Sequence, residues 1–425
     1  MSGNKFLAFI AALLLISCNA FKTISRSNEK EDVVVSENEI PAKQEKTSTE
    51  TKTPETKKTI ESEAKKTVTI DFFGEKYQVE PHKTEFNAAL ILPFFYHTDD
   101  AANRQISTIM VQYYQGFKMA LSALERDGLK LKLHVFDNEN NADKLKTILA
   151  NPNMKNMDLI IGPIGEEMIT SVADFGLKNS IPVFSPFTTI ETQKIANQIL
   201  YCTTPNNDNK AQRSAEYVKK KFANSPVVIL TDGKAMNIEY ETILKAKLRS
   251  AGISNITSTT YGKTSWGNML LKDKKTVVFV LSYTPSVVNT TLGSIYQTRR
   301  DVAVFGFNAW SDFMDNDYNF WDKTHVHLVA SDFVNDSSNA VINFRQNFRL
   351  QYREDPGVYS YLGYDQMKFA GEFLMAFGSQ FPTFIDGKEF RYLSSNFKYR
   401  FENGCNQNEN VFILKFEDYQ LKAAE

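Results

Sequence analysis

Apolar and polar positions follow two different periods along this chain, and the two periods take turns. "NAALILPFF" (87–95) is the continuous apolar run of a strand buried on both faces. "ISTIMVQYYQGFKMALSALERDG" (106–128) places its apolar residues at helical spacing and stops at Gly128. "LKLKLHVFD" alternates as a strand does, a short helix follows over about 142–150, then come "MDLIIG", a helix through Lys178, and "IPVFSPFTT" (181–189). The second half repeats the style with "NDNKAQRSAEYVKKKF" as a helix, "SPVVILTD" as a strand and "IEYETILKAKLRSAG" as a helix closed by Gly252. "KTVVFVLS", a helix through Arg299 and "DVAVFGFN" continue it. Strands alternating with helices predict parallel sheets with right-handed crossovers. Two such series predict an α/β chain of two doubly wound lobes. Ligand loops would lie beyond the carboxyl ends of the strands, facing each other across a central cleft.

The N-terminus departs from this pattern. Lys5 precedes an apolar run, Phe6 to Ile16, which is well short of the ~20 residues needed to span a bilayer. It reads as the apolar region of a secretory signal covering 1–17. The run ends in Leu15-Ile16-Ser17-Cys18, which resembles the lipobox of bacterial lipoproteins; that resemblance implies acylation of Cys18. Two or more acyl chains make a lasting membrane anchor. Residues 18–66 are dominated by Lys, Glu, Thr, Ser and Asn, with Phe21 as the only aromatic. Such a stretch cannot bury enough surface to offset its ordering entropy and is expected to act as a disordered tether of ~40 Å reach.

Composition narrows the function classes. The body, 67–425, is too long for one ordinary core, which agrees with two lobes. A net charge of −1 over 425 residues gives no sign of a nucleic-acid partner. Beyond Cys18 only Cys202 and Cys405 remain, enough for one disulfide or none.

The ordered set "ALILPFF", "YYQGFKMAL", "DLIIGPIG…IPVFSPFTT", "VVIL", "FGFNAW" and "FRQNFRLQYREDPGVYSYLGYDQMKFAGEFL" resembles the type I periplasmic binding proteins of the branched-chain amino-acid receptor kind, over about 86–380. The late Pro-then-Tyr-Asp signature falls at Pro356, Tyr364 and Asp365. The resemblance implies three crossings between lobes. The first lobe would comprise about 86–203 plus 328–385, and the second about 204–327 plus 388–425.

In such receptors a hydroxyl residue after the strand turn, with further hydroxyls after the next strand, binds the ligand carboxylate. Ser185, Thr188 and Thr189 match the second part, whereas Glu166 stands where the first hydroxyl is expected. Like charges set side by side can cost several kcal/mol. The resemblance also places an acidic residue for the ligand amine near "GFNAW", where Asn308 stands instead. Both departures argue against an ordinary α-amino acid as ligand. Glu166 and Glu167 either serve the dipole of the helix they open or, for Glu166, receive a cationic or polyhydroxylated ligand. Phe94 and Tyr96 would then supply an aromatic wall, or else simple packing between lobes.

No catalytic constellation is evident, and no cofactor is implied. "GKTSWG" (262–267) lacks the first glycine of a phosphate loop, Thr257 standing there. His325 and His327 would share one face of a strand, but no third metal ligand lies near them. The expected function is therefore a lipid-anchored extracytoplasmic binding protein for a small polar ligand. The alternative is an envelope lipoprotein that uses the same fold to bind or regulate a protein partner, such as cell-wall synthesis machinery.

Overall fold

The structure, a computed structural model, describes residues 67–188, 198–262, 266–402 and 404–424. The predicted signal, Cys18, the tether and Thr189 lie outside these. The described chain opens with a hairpin of β1 (Val68–Phe72) and β2 (Glu75–Val79). The first lobe follows as β3 (Glu85–Leu92), α1 (Ala101–Arg126), β4 (Lys130–Asp137), α2 (Ala142–Ala150), β5 (Leu159–Ile161), α3 (Glu166–Asn179), β6 (Val183–Ser185) and β7 (Leu200–Cys202). The second contains α4 (Asn207–Phe222), β8 (Val227–Thr231), α5 (Ala235–Ser250), β9 (Ile256–Thr260), β10 (Thr276–Leu281), α6 (Pro285–Gln297), β11 (Val302–Phe307), α7 (Tyr318–Lys323) and β12 (His327–Ala330). The chain then returns through α8 (Asn339–Tyr352), α9 (Val358–Phe377), α10 (Pro382–Ile385), β13 (Glu389–Arg391), β14 (Asn396–Glu402) and β15 (Cys405–Asn408), and ends in β16 (Phe412–Glu417) and β17 (Gln420–Ala423).

The strands form an eight-stranded sheet in the order β13-β14-β15-β7-β6-β5-β3-β4 and a seven-stranded sheet in the order β17-β16-β12-β11-β10-β8-β9. The chain-order series β3 to β7 and β8 to β12 pair parallel throughout. Continuous apolar runs became the central strands: every residue of β10 and β11 is buried. Alternating "KLKLHVFD" became the edge strand β4, as a strand with one wet face should.

The C-terminal boundary differs from the expectation. Residues 388–425 do not return to the second lobe as one piece, because β13, β14 and β15 extend the first sheet and only β16 and β17 join the second. The crossing falls between Asn408 and Phe412 instead. Phe390, Phe397 and Tyr399 explain it physically, since all three pack in the first lobe's core against α9. The preceding crossing also comes slightly later than expected, because β12, to Ala330, still belongs to the second sheet.

Helices α1 and α9 pack along each other in the first lobe at two glycines. A Cβ on Gly116 would stand 1.8 Å from the Ser360 carbonyl oxygen, and one on Gly363 2.0 Å from that of Tyr113. Cys202 and Cys405 are buried and not joined by a disulfide, with their sulfurs in contact at 3.6 Å. His325 and His327 do not share a strand face. His325 sits before β12 at a positive φ of 49°, and its carbonyl takes a hydrogen bond from the buried His327 Nδ1 at 2.7 Å.

Candidate functional site

At the first lobe's edge of the cleft, the loops that follow β3, β5 and β6 are held by their own hydrogen bonds. Asp137 accepts from the backbone N–H groups of Phe94 and Tyr96, both at 2.9 Å. Gly162 turns the chain after β5 at φ +89°, where a Cβ would meet the Ile91 carbonyl at 2.0 Å. The loop after β6 rests on a buried polar chain. The Tyr113 hydroxyl donates to Gln366 Oε1 (2.7 Å), whose Nε2 donates to the Pro186 carbonyl (3.0 Å) and to the Thr203 hydroxyl (2.9 Å).

The hydroxyls expected to meet a ligand carboxylate close upon the protein itself. Ser185 is wholly buried and donates to the Thr188 carbonyl at 2.6 Å. The Thr188 hydroxyl accepts the Gly165 N–H at 2.8 Å, just ahead of α3. Spare N–H groups at such a helix start are what bind an anion elsewhere. Here one of them already has an acceptor. Glu166 and Glu167 occupy the first turn of α3, exposed, where its dipole favours them.

The second lobe presents two acidic regions of opposite character. Asp232, after β8, is fully engaged: it accepts from Asn237 Nδ2 (2.9 Å), the Lys234 N–H (3.0 Å) and the Ser282 hydroxyl (2.9 Å). Asp312 and Asp332 are not. They line a groove of about 870 Å³ where the loop after β11, the crossing 332–337, the start of α9 and the β16–β17 edge meet. Neither carboxylate has a hydrogen-bond or ion-pair partner among the described residues. Asp312 opens to solvent, yet the protein around it displaces enough water, with Asp332 facing it, to push its pKa up to about 7. Burial raises Asp332 to about 6 against the opposing pull of Lys210. The Tyr359 phenol lies within electrostatic reach of both carboxylates, and burial, then the two charges, raise its pKa.

The structure therefore disperses the sequence-derived set. Asn308 is half-buried and lines the groove, while Glu166, Ser185 and Thr188 belong to the first-lobe loops. Tyr96 is 78% exposed, its ring packs on His97, and it is not among the residues that line the groove. Asp312, Asp332 and Tyr359 escaped the sequence reading. A signal for the first two was present: Asp332 follows β12 at its carboxyl end, and Asp312 lies four residues beyond Asn308. Among the described residues no group of three or more His, Cys, Asp or Glu is placed to hold a metal. No helix among them is long and apolar enough to cross a membrane.

Two doubly wound lobes, joined by three crossings, make the two-lobed architecture of the type I periplasmic binding fold. Residues 105–391 match the model of the periplasmic binding protein family, and this chain belongs to that family, whose members act outside the cytoplasm. Among curated protein sequences none matches the chain. Solved structures share the fold at low identity. A putative branched-chain amino acid ABC transporter protein from Rhodospirillum rubrum is 11% identical with a TM-score of 0.61, covering 80% of this chain and 100% of its own. An ABC transporter substrate-binding protein from Desulfitobacterium hafniense, in complex with Leu, is 16% identical with a TM-score of 0.54 at 80% and 100% coverage. Full-length LpoA from Haemophilus influenzae is 13% identical with a TM-score of 0.58, covering 81% of this chain and 60% of that one.

Proposed function

We propose that this chain is a lipid-anchored, extracytoplasmic solute-binding protein, acylated at Cys18. It captures a small polar ligand between its lobes without transforming it, and that ligand is not an ordinary α-amino acid. One observation carries the exclusion: the Thr188 hydroxyl already occupies the Gly165 N–H at the start of α3. A ligand carboxylate arriving there would have to displace this bond and approach Glu166 and Glu167, whose charges repel it. The amine position at Asn308 offers no charge.

A second reading, an envelope protein that engages a protein partner, has the same closed carboxylate site in its favour. The fold likeness to LpoA is compatible with it.

A thermal-shift panel of amino acids, sugars, nucleosides and amines decides between them. A true ligand at a hundred times its Kd adds about 2.7 kcal/mol and raises Tm visibly. A response to sugars, nucleosides or amines alone supports the first reading. A response to leucine overturns the exclusion, and a flat panel with capture of a defined envelope protein supports the second.

A further inference from the structure

We infer that Cys202 and Cys405 are a disulfide site, oxidised outside the cytoplasm, whose bond braces the first and last crossings between the lobes. This goes beyond the solute-binding reading and needs no ligand. Residues 67–425 hold only these two cysteines, and the fold brings them together across about 200 residues of chain. They lie on neighbouring parallel strands, β7 and β15, where Tyr201 pairs with Asn406 and Cys202 with Gln407. Cys405 stands two residues before Gln407, so both sulfurs project from the same sheet face. The register is held by Asn406, whose Nδ2 donates to the carbonyls of Gln198 (2.8 Å) and Leu200 (3.1 Å). Gln407 Nε2 donates to Cys405 Sγ at 2.9 Å and orients that side chain.

Bonding requires the sulfurs to close by about 1.6 Å. A strand end can yield that much: Cys405 is the first residue of β15 and follows Gly404, at φ +86°. Both cysteines are 0% exposed in an apolar cluster with Ala89, Ile91 and Leu200, which suppresses the reactive thiolate in the finished fold. Oxidation therefore belongs to folding, before the cluster closes, in a compartment where disulfides persist. The oxidant is a protein or small-molecule disulfide. One cysteine thiolate attacks a donor sulfur, and the donor's other sulfur leaves as thiolate. The second cysteine thiolate then attacks the first cysteine's sulfur and expels the donor, which ends with two electrons and two protons as a pair of thiols. The closed loop contains the whole β8–β12 series, and its ends lie at the hinge. Cys202 directly precedes Thr203, and Cys405 lies three residues before Asn408, which is already bonded to the Thr203 carbonyl.

Refolding the unacylated full chain from urea in a glutathione redox buffer tests this, with oxidised glutathione as the disulfide donor. Cys18, Cys202 and Cys405 allow three intramolecular pairings. A sample oxidised while held in urea should give a mixture of them. The refolded chain should give the 202–405 cross-linked peptide almost alone, read by mass spectrometry after the remaining thiols are alkylated. Its Tm should stand about 3–8 °C above that of the same chain refolded with reductant. C202A/C405A should melt at one temperature with or without reductant. Alkylation of both Cys202 and Cys405 in the refolded chain overturns the inference, as does pairing of either with Cys18 or with glutathione. A 202–405 bond that leaves Tm unmoved overturns the bracing of the crossings. Each of these outcomes leaves the solute-binding reading as it stands, because no ligand takes part.

Discussion

Asn408 donates through Nδ2 to the Thr203 carbonyl at 2.9 Å, which ties the last crossing between the lobes to the first. The same amide donates to the Asn396 carbonyl (2.9 Å), and its oxygen accepts the N–H groups of Lys398 (3.0 Å) and Asn410 (3.1 Å). At 1% exposure the residue meets its hydrogen-bonding capacity entirely within the hinge.

Replacing it tests that role. N408A leaves two carbonyls and two N–H groups of the hinge without these partners, and each group left unsatisfied in a buried place costs about 1–3 kcal/mol. The expected loss is about 3 kcal/mol by urea denaturation, because entering water relieves part of the deficit. A loss below 0.5 kcal/mol would show that the hinge holds without it.

The acid pair makes a signed prediction about pH. The native pKa values of Asp312 and Asp332, about 7 and about 6, lie above the ordinary carboxylate value. The folded state therefore holds more protons than the unfolded one between about pH 4 and 7, and stability falls as pH rises through that window. D312N should raise Tm at pH 8 and leave it unchanged at pH 3.5. An unchanged Tm at pH 8 would mean that its surroundings do not disfavour the ionised form of Asp312.

His327 has the opposite sign. Burial lowers its pKa to about 4, its ring stacks on Phe305 at 4.6 Å, and Nδ1–H donates to the His325 carbonyl. The unfolded chain takes up a proton there first, so its contribution is complete above about pH 6.5 and is lost as pH falls toward 4. Imidazole NMR signals should show His327 still neutral at pH 5.5. A midpoint near 6.5 would contradict the stacked, buried placement.

Two glycines that look alike in the sequence should behave differently. At Gly116 an added methyl meets the Ser360 backbone oxygen, and neither helix can withdraw without opening the α1–α9 seam. G116A should cost about 3 kcal/mol or more. Gly128, at φ +108°, has nothing within 4 Å, so G128A should cost only the ~1 kcal/mol of a strained backbone. Equal losses would mean that backbone strain, not close approach, governs both.

Thr188 offers a narrower test. T188V keeps the volume but removes the acceptor of the Gly165 N–H, for an expected loss of about 1–2 kcal/mol. Acetate or leucine should not restore it, because Glu166 and Glu167 remain beside the vacated bond. Rescue by either would reopen the carboxylate site to a ligand.

The architecture was legible in the sequence wherever burial decides structure. The runs at 88–92, 276–281 and 302–307 are buried strands because they had no polar face to turn outward. The destination of 389–408 was not legible. Its Phe and Tyr residues say that the segment packs on something, but only the side chains of α9 select the first sheet. The candidate site was legible as departures from a receptor pattern, at Glu166 and Asn308. It was not legible as a place: that Ser185 turns inward, and that Asp312 and Asp332 line one groove, depends on loop paths and a crossing that no local period encodes.

The β1–β2 hairpin has a mechanical consequence. Phe72 packs edge-on against Phe373 and Phe377 at 4.9 and 5.0 Å, and Lys388 lies 4.4 Å over the Tyr77 ring, so the hairpin is clamped to the far end of α9. That helix has 20 residues, about 30 Å, and its other end borders the groove. A pull applied at Thr67, the first described residue, would therefore meet an aromatic clamp on the first lobe.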